Sequence, residues 1–212
     1  MQGELFTSFA MMIEQESDKI AISVNQAQSL IAQAKLGDVQ AFEQLLIRYQ
    51  RQVFGTAVRL LGNVDDARDA SQEVFLRLHK YLHNFDEEKE FLPWLYQMTV
   101  NICRDIAKKR SRGNTISLEQ EQESGKLDHI ASKHDIEKEF NTVQERKIIT
   151  AALETLSERE RTAVVLRDIQ GLETKDVARM LGTAEATIRS QISMARVKIK
   201  KYRDKFLNKL IS

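Results

Sequence analysis

Two histidines, His79 and His83, stand four positions apart, a spacing that puts both imidazoles on one face of a helix and suits paired metal ligands. Lys80 follows the first, where a zinc-peptidase helix carries glutamate, and no third ligand accompanies them. Structural or solvent-facing histidines are the better reading, and no metal is expected. Cys103 is the one cysteine, so the chain can form no internal disulfide or multi-cysteine zinc site. It falls among Trp94, Leu95, Met98, Ile102 and Ile106 at helical spacing, where it reads as a small apolar core residue rather than a nucleophile. There is neither a Gly-rich phosphate loop nor a Gly-x-Ser-x-Gly elbow. No catalytic residue and no cofactor is expected.

The chemistry that remains is that of charge. The 32 Lys and Arg nearly balance the 31 Asp and Glu, leaving a net charge of +1. That average conceals structure along the chain. Residues 1–25 carry −3, residues 26–112 carry +2, residues 113–140 carry −4 and residues 141–212 carry +6. Arg104, Lys108, Lys109, Arg110 and Arg112 crowd the end of the first basic segment, and Arg196, Lys198, Lys200, Lys201, Arg203 and Lys205 fall close together in the second. Such asymmetry suits a polyanion. From charge alone a solvated helix face is the commoner explanation.

The elements that must carry these residues are helical. One Pro and eight Gly in 212 residues are too few for a turn-dense β fold, and Gln, Glu, Lys, Arg, Ala and Leu abound. The stripe Leu30, Ile31, Ala34, then Phe42, Leu45, Leu46, Tyr49 and Val53 is broken at Gly37-Asp38 and ends at Gly62-Asn63. Ala67, Ala70, Val74, Phe75, Leu78 and Leu82 make the next stripe; its polar face holds Asp66, Asp69, Gln72, Glu73 and Lys80, with Leu76 among them. After a polar loop at 84–90, a helix over about 92–110 takes Pro93 in its first turn. Ser157-Glu158-Arg159-Glu160 reads as a capping box, and Gly171 is placed to stop the helix it opens. Thr174 is expected to cap a short helix that Gly182 ends. Thr183 is expected to cap a long one with Ile188, Ile192, Ala195, Ile199, Tyr202 and Phe206 inward. A short helix, a turn and a longer basic helix make a helix-turn-helix, whose second helix can lie in a major groove. The expected architecture is all-α, with two small helical domains (26–112 and 141–212) joined by an acidic linker (113–140) and preceded by an extension (1–25) of open role. No stretch is apolar enough to span a membrane, and the N-terminus lacks the basic start of a signal peptide, so a cytoplasmic protein is expected.

Asp66-Ala67-Arg68-Asp69-Ala70-Ser71-Gln72-Glu73-Val74-Phe75-Leu76-Arg77-Leu78 resembles region 2 of bacterial sigma factors, as does Phe91-Leu92-Pro93-Trp94-Leu95-Tyr96 with Asn101 and Asp105. Leu156-Ser157-Glu158-Arg159-Glu160-Arg161, Leu166-Arg167-Asp168, Gly171-Leu172, Val177-Ala178-x-x-Leu181-Gly182, Thr187-Ile188-Arg189-Ser190 and Ala195-Arg196 resemble region 4. Both blocks stand in order with only a short linker between, which is similar to the two-domain, extracytoplasmic-function class.

The resemblance implies a dissociable subunit of core RNA polymerase that directs it to promoter DNA. It implies polymerase docking through Asp66, Asp69, Gln72, Glu73 and Leu76. It implies opening of the −10 element and capture of one strand by Asn84, Phe85, Phe91, Trp94, Arg104, Lys108, Lys109 and Arg110, with Tyr96 a further aromatic of suitable type. Arg189, Ser190 and Ser193 would face the −35 groove and Arg196 would meet phosphate. An anti-sigma factor is left open as a further partner. Gln191, Met194 and Ala186 depart from the usual pattern of region 4, and Gln97 from that of region 2. The main rival reading is a stand-alone helix-turn-helix regulator; a helical interaction protein with a merely soluble basic face is the second.

Overall fold

The computed structural model describes residues 26–113 and 148–211, and every regular element in them is helical. The expected extension at 1–25 and nearly all of the expected linker lie outside the described residues. Those described form two compact units, one of residues 26–51 and 77–89, the other of 52–76, 90–113 and 148–211.

In the first unit, α1 (residues 26–35) buries Ala27 and Ile31. The Asp38 carboxylate accepts the amides of Gln40 (2.8 Å) and Ala41 (3.1 Å), capping α2 (Val39–Leu61) at its start. Ala41, Leu45 and Tyr49 follow at a four-residue interval and are buried. The end of α3 (Val64–Tyr81) and a single 3-10 turn (Leu82–Asn84) contribute buried Leu78 and Leu82. Lys35 Nζ donates to the Phe85 carbonyl (2.8 Å) and to the Glu87 carboxylate (2.6 Å), pinning the loop that follows. The His79 ring meets Phe42 edge-on at 5.0 Å, a packing role. Among the described residues, no cluster of three or more His, Cys, Asp or Glu could hold a metal.

In the second unit, the remainder of α2 buries Val53, Ala57 and Leu61. Gly62 ends it at φ +70°, a backbone conformation that strains any residue with a Cβ. The Asn63 side chain accepts the Asp66 amide (2.8 Å) and starts α3, which buries Ala67, Ala70 and Val74. Helix α4 (Phe91–Gly113) carries Pro93 in its first turn and buries Leu95, Tyr96, Val100, Ile102 and Cys103. Burial pushes the Cys103 thiol up to about 12, so it stays protonated and inert near neutral pH.

Residues 148–154 form α5, and the capping box is formed as expected: Ser157 Oγ accepts the Glu160 amide while Glu160 accepts the Ser157 amide (2.9 Å), opening α6 (Glu158–Val164). Gly171, at φ +76°, follows the end of this helix as expected. Before it the helix widens into a π turn, Val165–Ile169, in which the Gln170 amide reaches back to the Val165 carbonyl. The turn keeps Val165 and Leu166 inside and leaves Asp168 and Ile169 outside. Thr174 is the first residue of α7 (Thr174–Leu181), not its cap; Glu173 holds that position without a side-chain bond. Gly182 adopts the left-handed conformation (φ +62°), and the Thr183 amide returns to the Ala178 carbonyl (3.0 Å), closing α7 as only Gly does without strain. Thr183 is likewise one residue early as a cap, because α8 (Glu185–Ile211) begins with the Ile188 amide on the Ala184 carbonyl. Ile188, Ile192 and Ala195 are buried and Ile199, Tyr202 and Phe206 partly so, giving the inward face the periodicity required. Among the described residues no helix is long and apolar enough to cross a membrane.

Candidate polymerase and nucleic-acid interfaces

On α3 the buried alanines and Val74 leave the opposite side outward. Asp69 and Gln72 are exposed there, Glu73 is half-buried, and Leu76 is 67 % exposed one turn further on. Asp69, Gln72, Glu73 and Leu76 lie at i, i+3, i+4 and i+7, one continuous strip of helix surface. Asp66, at the top of the strip, is half-buried and accepts a hydrogen bond from Arg110 Nη1 at 3.0 Å. A single apolar side chain framed by carboxylates and an amide is suited to docking on a complementary helical surface.

The aromatic residues expected to stack bases are mostly inside. Phe85, in the first unit, is 6 % exposed, and Asn84 beside it on the 3-10 turn is exposed. In the second unit Phe91 is 8 % exposed and Trp94 partly exposed, their ring centroids 5.9 Å apart. Lys108, Lys109 and Arg110 form an exposed cationic run near the end of α4. Arg104, a turn earlier, gives its Nε to Glu158 Oε1 at 2.9 Å.

On α8 the four residues expected at the −35 element all lie outward. Arg189, Ser190, Ser193 and Arg196 share the side opposite Ile188, Ile192 and Ala195, and all four are exposed. Neither arginine swings loose. Arg189 Nη1 donates to Glu185 Oε2 at 3.0 Å, one turn back. Arg196 forms a two-pronged pair with Asp168, Nε to Oδ2 at 2.8 Å and Nη2 to Oδ1 at 2.7 Å, which raises the guanidinium further above its usual value. Asp168 thereby fixes the orientation of the Arg196 guanidinium. The Glu185 pairing is legible from helix spacing. The Asp168 pairing, across 28 positions and dependent on the π turn, carries no local signal. Met194 (51 %) and Val197 (65 %) add an exposed apolar strip to the same helix, while Gln191 Oε1 is buried with no hydrogen-bond partner. At the start of α6, buried Glu160 accepts Lys198 Nζ on both oxygens (2.8 Å each), fastening α8 to the capping box.

Residues 45–113 match the family model for Sigma-70 region 2, and residues 146–199 match that for Sigma-70, region 4. The RNA polymerase sigma-H factor of Pseudomonas aeruginosa is 29% identical over 185 residues, covering 85% of this chain and 95% of that protein. The ECF RNA polymerase sigma-E factor of Haemophilus influenzae is 30% identical over 172 residues, covering 80% and 90%. The fold is similar to that of the sigma factor RpoE from Bartonella quintana, solved in complex with the anti-sigma factor NepR, with a TM-score of 0.64, 23% identity, and coverage of 78% of this chain and 98% of that one. With both sigma regions matched in order and relatives aligned over nearly their whole length, the chain belongs to the extracytoplasmic-function class of the sigma-70 family, factors that direct promoter-specific transcription initiation and have no catalysis of their own.

Proposed function

We propose that this sigma factor joins core RNA polymerase in the cytoplasm through the exposed side of α3. In this reading, α4 and the 84–90 loop open the −10 element and hold its single strand, and α8 reads the −35 element. The observation that carries the reading is the strip Asp69, Gln72, Glu73 and Leu76: an autonomous DNA-binding regulator has no use for an exposed leucine framed by carboxylates on a helix remote in sequence from its helix-turn-helix. The cations Lys108, Lys109 and Arg110 supply a track for a displaced strand, and the outward side of α8 supplies groove and phosphate contacts. An anti-sigma factor is a fitting further partner, since the Bartonella quintana relative was solved with one.

Run-off transcription with core polymerase and mapping of start sites tests the reading. The purified chain should support specific initiation only with the polymerase present. Tight sequence-specific duplex binding by the free chain, without polymerase association, would support the stand-alone regulator instead.

Within this scheme Arg189→Ala should relax base preference at one −35 position, at a loss of about 1–3 kcal/mol for the preferred base. Transcription from a library of −35 sequences checks it, and an unaltered preference would remove Arg189 from the base-reading set.

A further inference from the structure

We propose that Asp168 is a positioning residue for DNA, holding the Arg196 guanidinium so that one edge of it stays turned toward a backbone phosphate of the −35 element. The proposal rests on the assignment of Arg196 to that phosphate. A guanidinium carries five N–H donors in a planar fork. Asp168 takes two of them side-on, from Nε at 2.8 Å and from Nη2 at 2.7 Å. The end-on edge remains, Nη1 with the second hydrogen of Nη2, and its parallel donors match two phosphate oxygens. One plane therefore serves a carboxylate behind and a phosphate ahead. Arg189 is held differently: a single bond at 3.0 Å to Glu185 on its own helix fixes a point and not a plane.

The support beneath Asp168 is built into the core. Val164 and Val165 share an apolar cluster with Ala195, the residue before Arg196, so both halves of the pair stand on elements already packed together. The π turn sets the direction. Its wider bonding carries one extra residue, which shifts Asp168 and Ile169 around the helix axis from where an unbroken α-helix would set them. Val165 and Leu166 stay fully buried while the Asp168 side chain, 23 % exposed, reaches α8, and that of Arg196 beyond it is 64 % exposed. The pair thus points outward from the protein. A long side chain ordinarily loses rotamer freedom when it grips a phosphate, and here much of that freedom is already lost in the free chain. Asp168 also presents a negative charge to DNA. Its removal therefore has two opposing effects on total affinity, and only the strength of one phosphate contact reports the positioning.

The test uses the full-length chain with core polymerase and promoter DNA mapped by run-off, in which single phosphates of the −35 element are replaced in turn by neutral methylphosphonates. In the parent, one replacement should weaken binding about tenfold, and Arg196→Ala should abolish the effect of that replacement, which identifies the phosphate. Asp168→Ala should reduce the same effect to about twofold, while replacements elsewhere keep theirs. Asp168→Asn, which keeps one of the two acceptors in the same shape, should fall between. Because the pair lies mostly at the surface, both variants should melt within a few degrees of the parent. A tenfold effect retained in both Asp168 variants would overturn the proposal and leave the pair as a fastening of α8 alone. A phosphate scan that Arg196→Ala alters at no position would instead overturn the assignment of Arg196.

Discussion

Leu76→Asp should weaken association with core polymerase by about 30-fold or more while leaving the protein folded. The first half follows from the way binding energy concentrates: an apolar anchor at the centre of an interface is worth about 2 kcal/mol or more on truncation, and a charge in its place adds desolvation. The second half follows from position. Leu76 is 67 % exposed, so its loss removes almost no folded contact, and the poorer helix propensity of aspartate takes only about 0.5 kcal/mol. The control lies two residues away: Val74 is fully buried on the same helix, and Val74→Asp should abolish the fold as well as the binding. Polymerase pull-down beside far-ultraviolet circular dichroism separates the two variants. Equal affinity of Leu76→Asp and the parent would remove the α3 strip from the docking surface.

The periodicity of the sequence carried the helices and much of the outward-facing site, for a reason visible in α8. An outward face at 3.6 residues per turn is the complement of the inward one, so placing Ile188, Ile192 and Ala195 inside also places Arg189, Ser190, Ser193 and Arg196 outside. The capping box was legible because its two partners are three residues apart. Thr174 and Thr183 misled because either threonine has the chemistry of a cap, whereas the start of each helix is set by backbone bonding from Glu173 and Ala184. The π turn left no such trace, since its wider bonding is chosen by packing of Val165 and Leu166 rather than by residue type. Asp168 with Arg196, Lys198 with Glu160 and Gln97 with Met180 were invisible for the same reason: each joins residues 28 or more positions apart, and only tertiary packing brings them together.

The Glu160 carboxylate should prove the main electrostatic fastening of the DNA-reading helix. Its oxygens accept the Ser157 amide and hydroxyl at 2.9 Å and Lys198 Nζ at 2.8 Å, so one buried group satisfies the start of α6 and ties down α8. Lys198, then the Ser157 amide, hold the carboxyl below its ordinary 4.5 against the opposing effect of burial. A depressed folded value means that the unfolded chain binds the proton more readily. This contribution to stability is therefore present above about pH 4.5 and lost as pH falls through the lower folded value. Glu160→Ala should destabilise by about 1–3 kcal/mol, the loss of a helix cap together with a charge-assisted bond. For a chain of this size that lowers Tm by about 2–4 °C per kcal/mol. Glu160→Gln should fall between the two, because an amide oxygen still accepts from Ser157 but gives Lys198 no countercharge, and it should flatten the acid limb of the stability profile. Denaturant melts of the three proteins from neutral pH down to about pH 2 decide the matter. An acid limb of unchanged slope in Glu160→Gln would assign that dependence to other carboxylates and reduce the Lys198 pair to a surface contact of little weight.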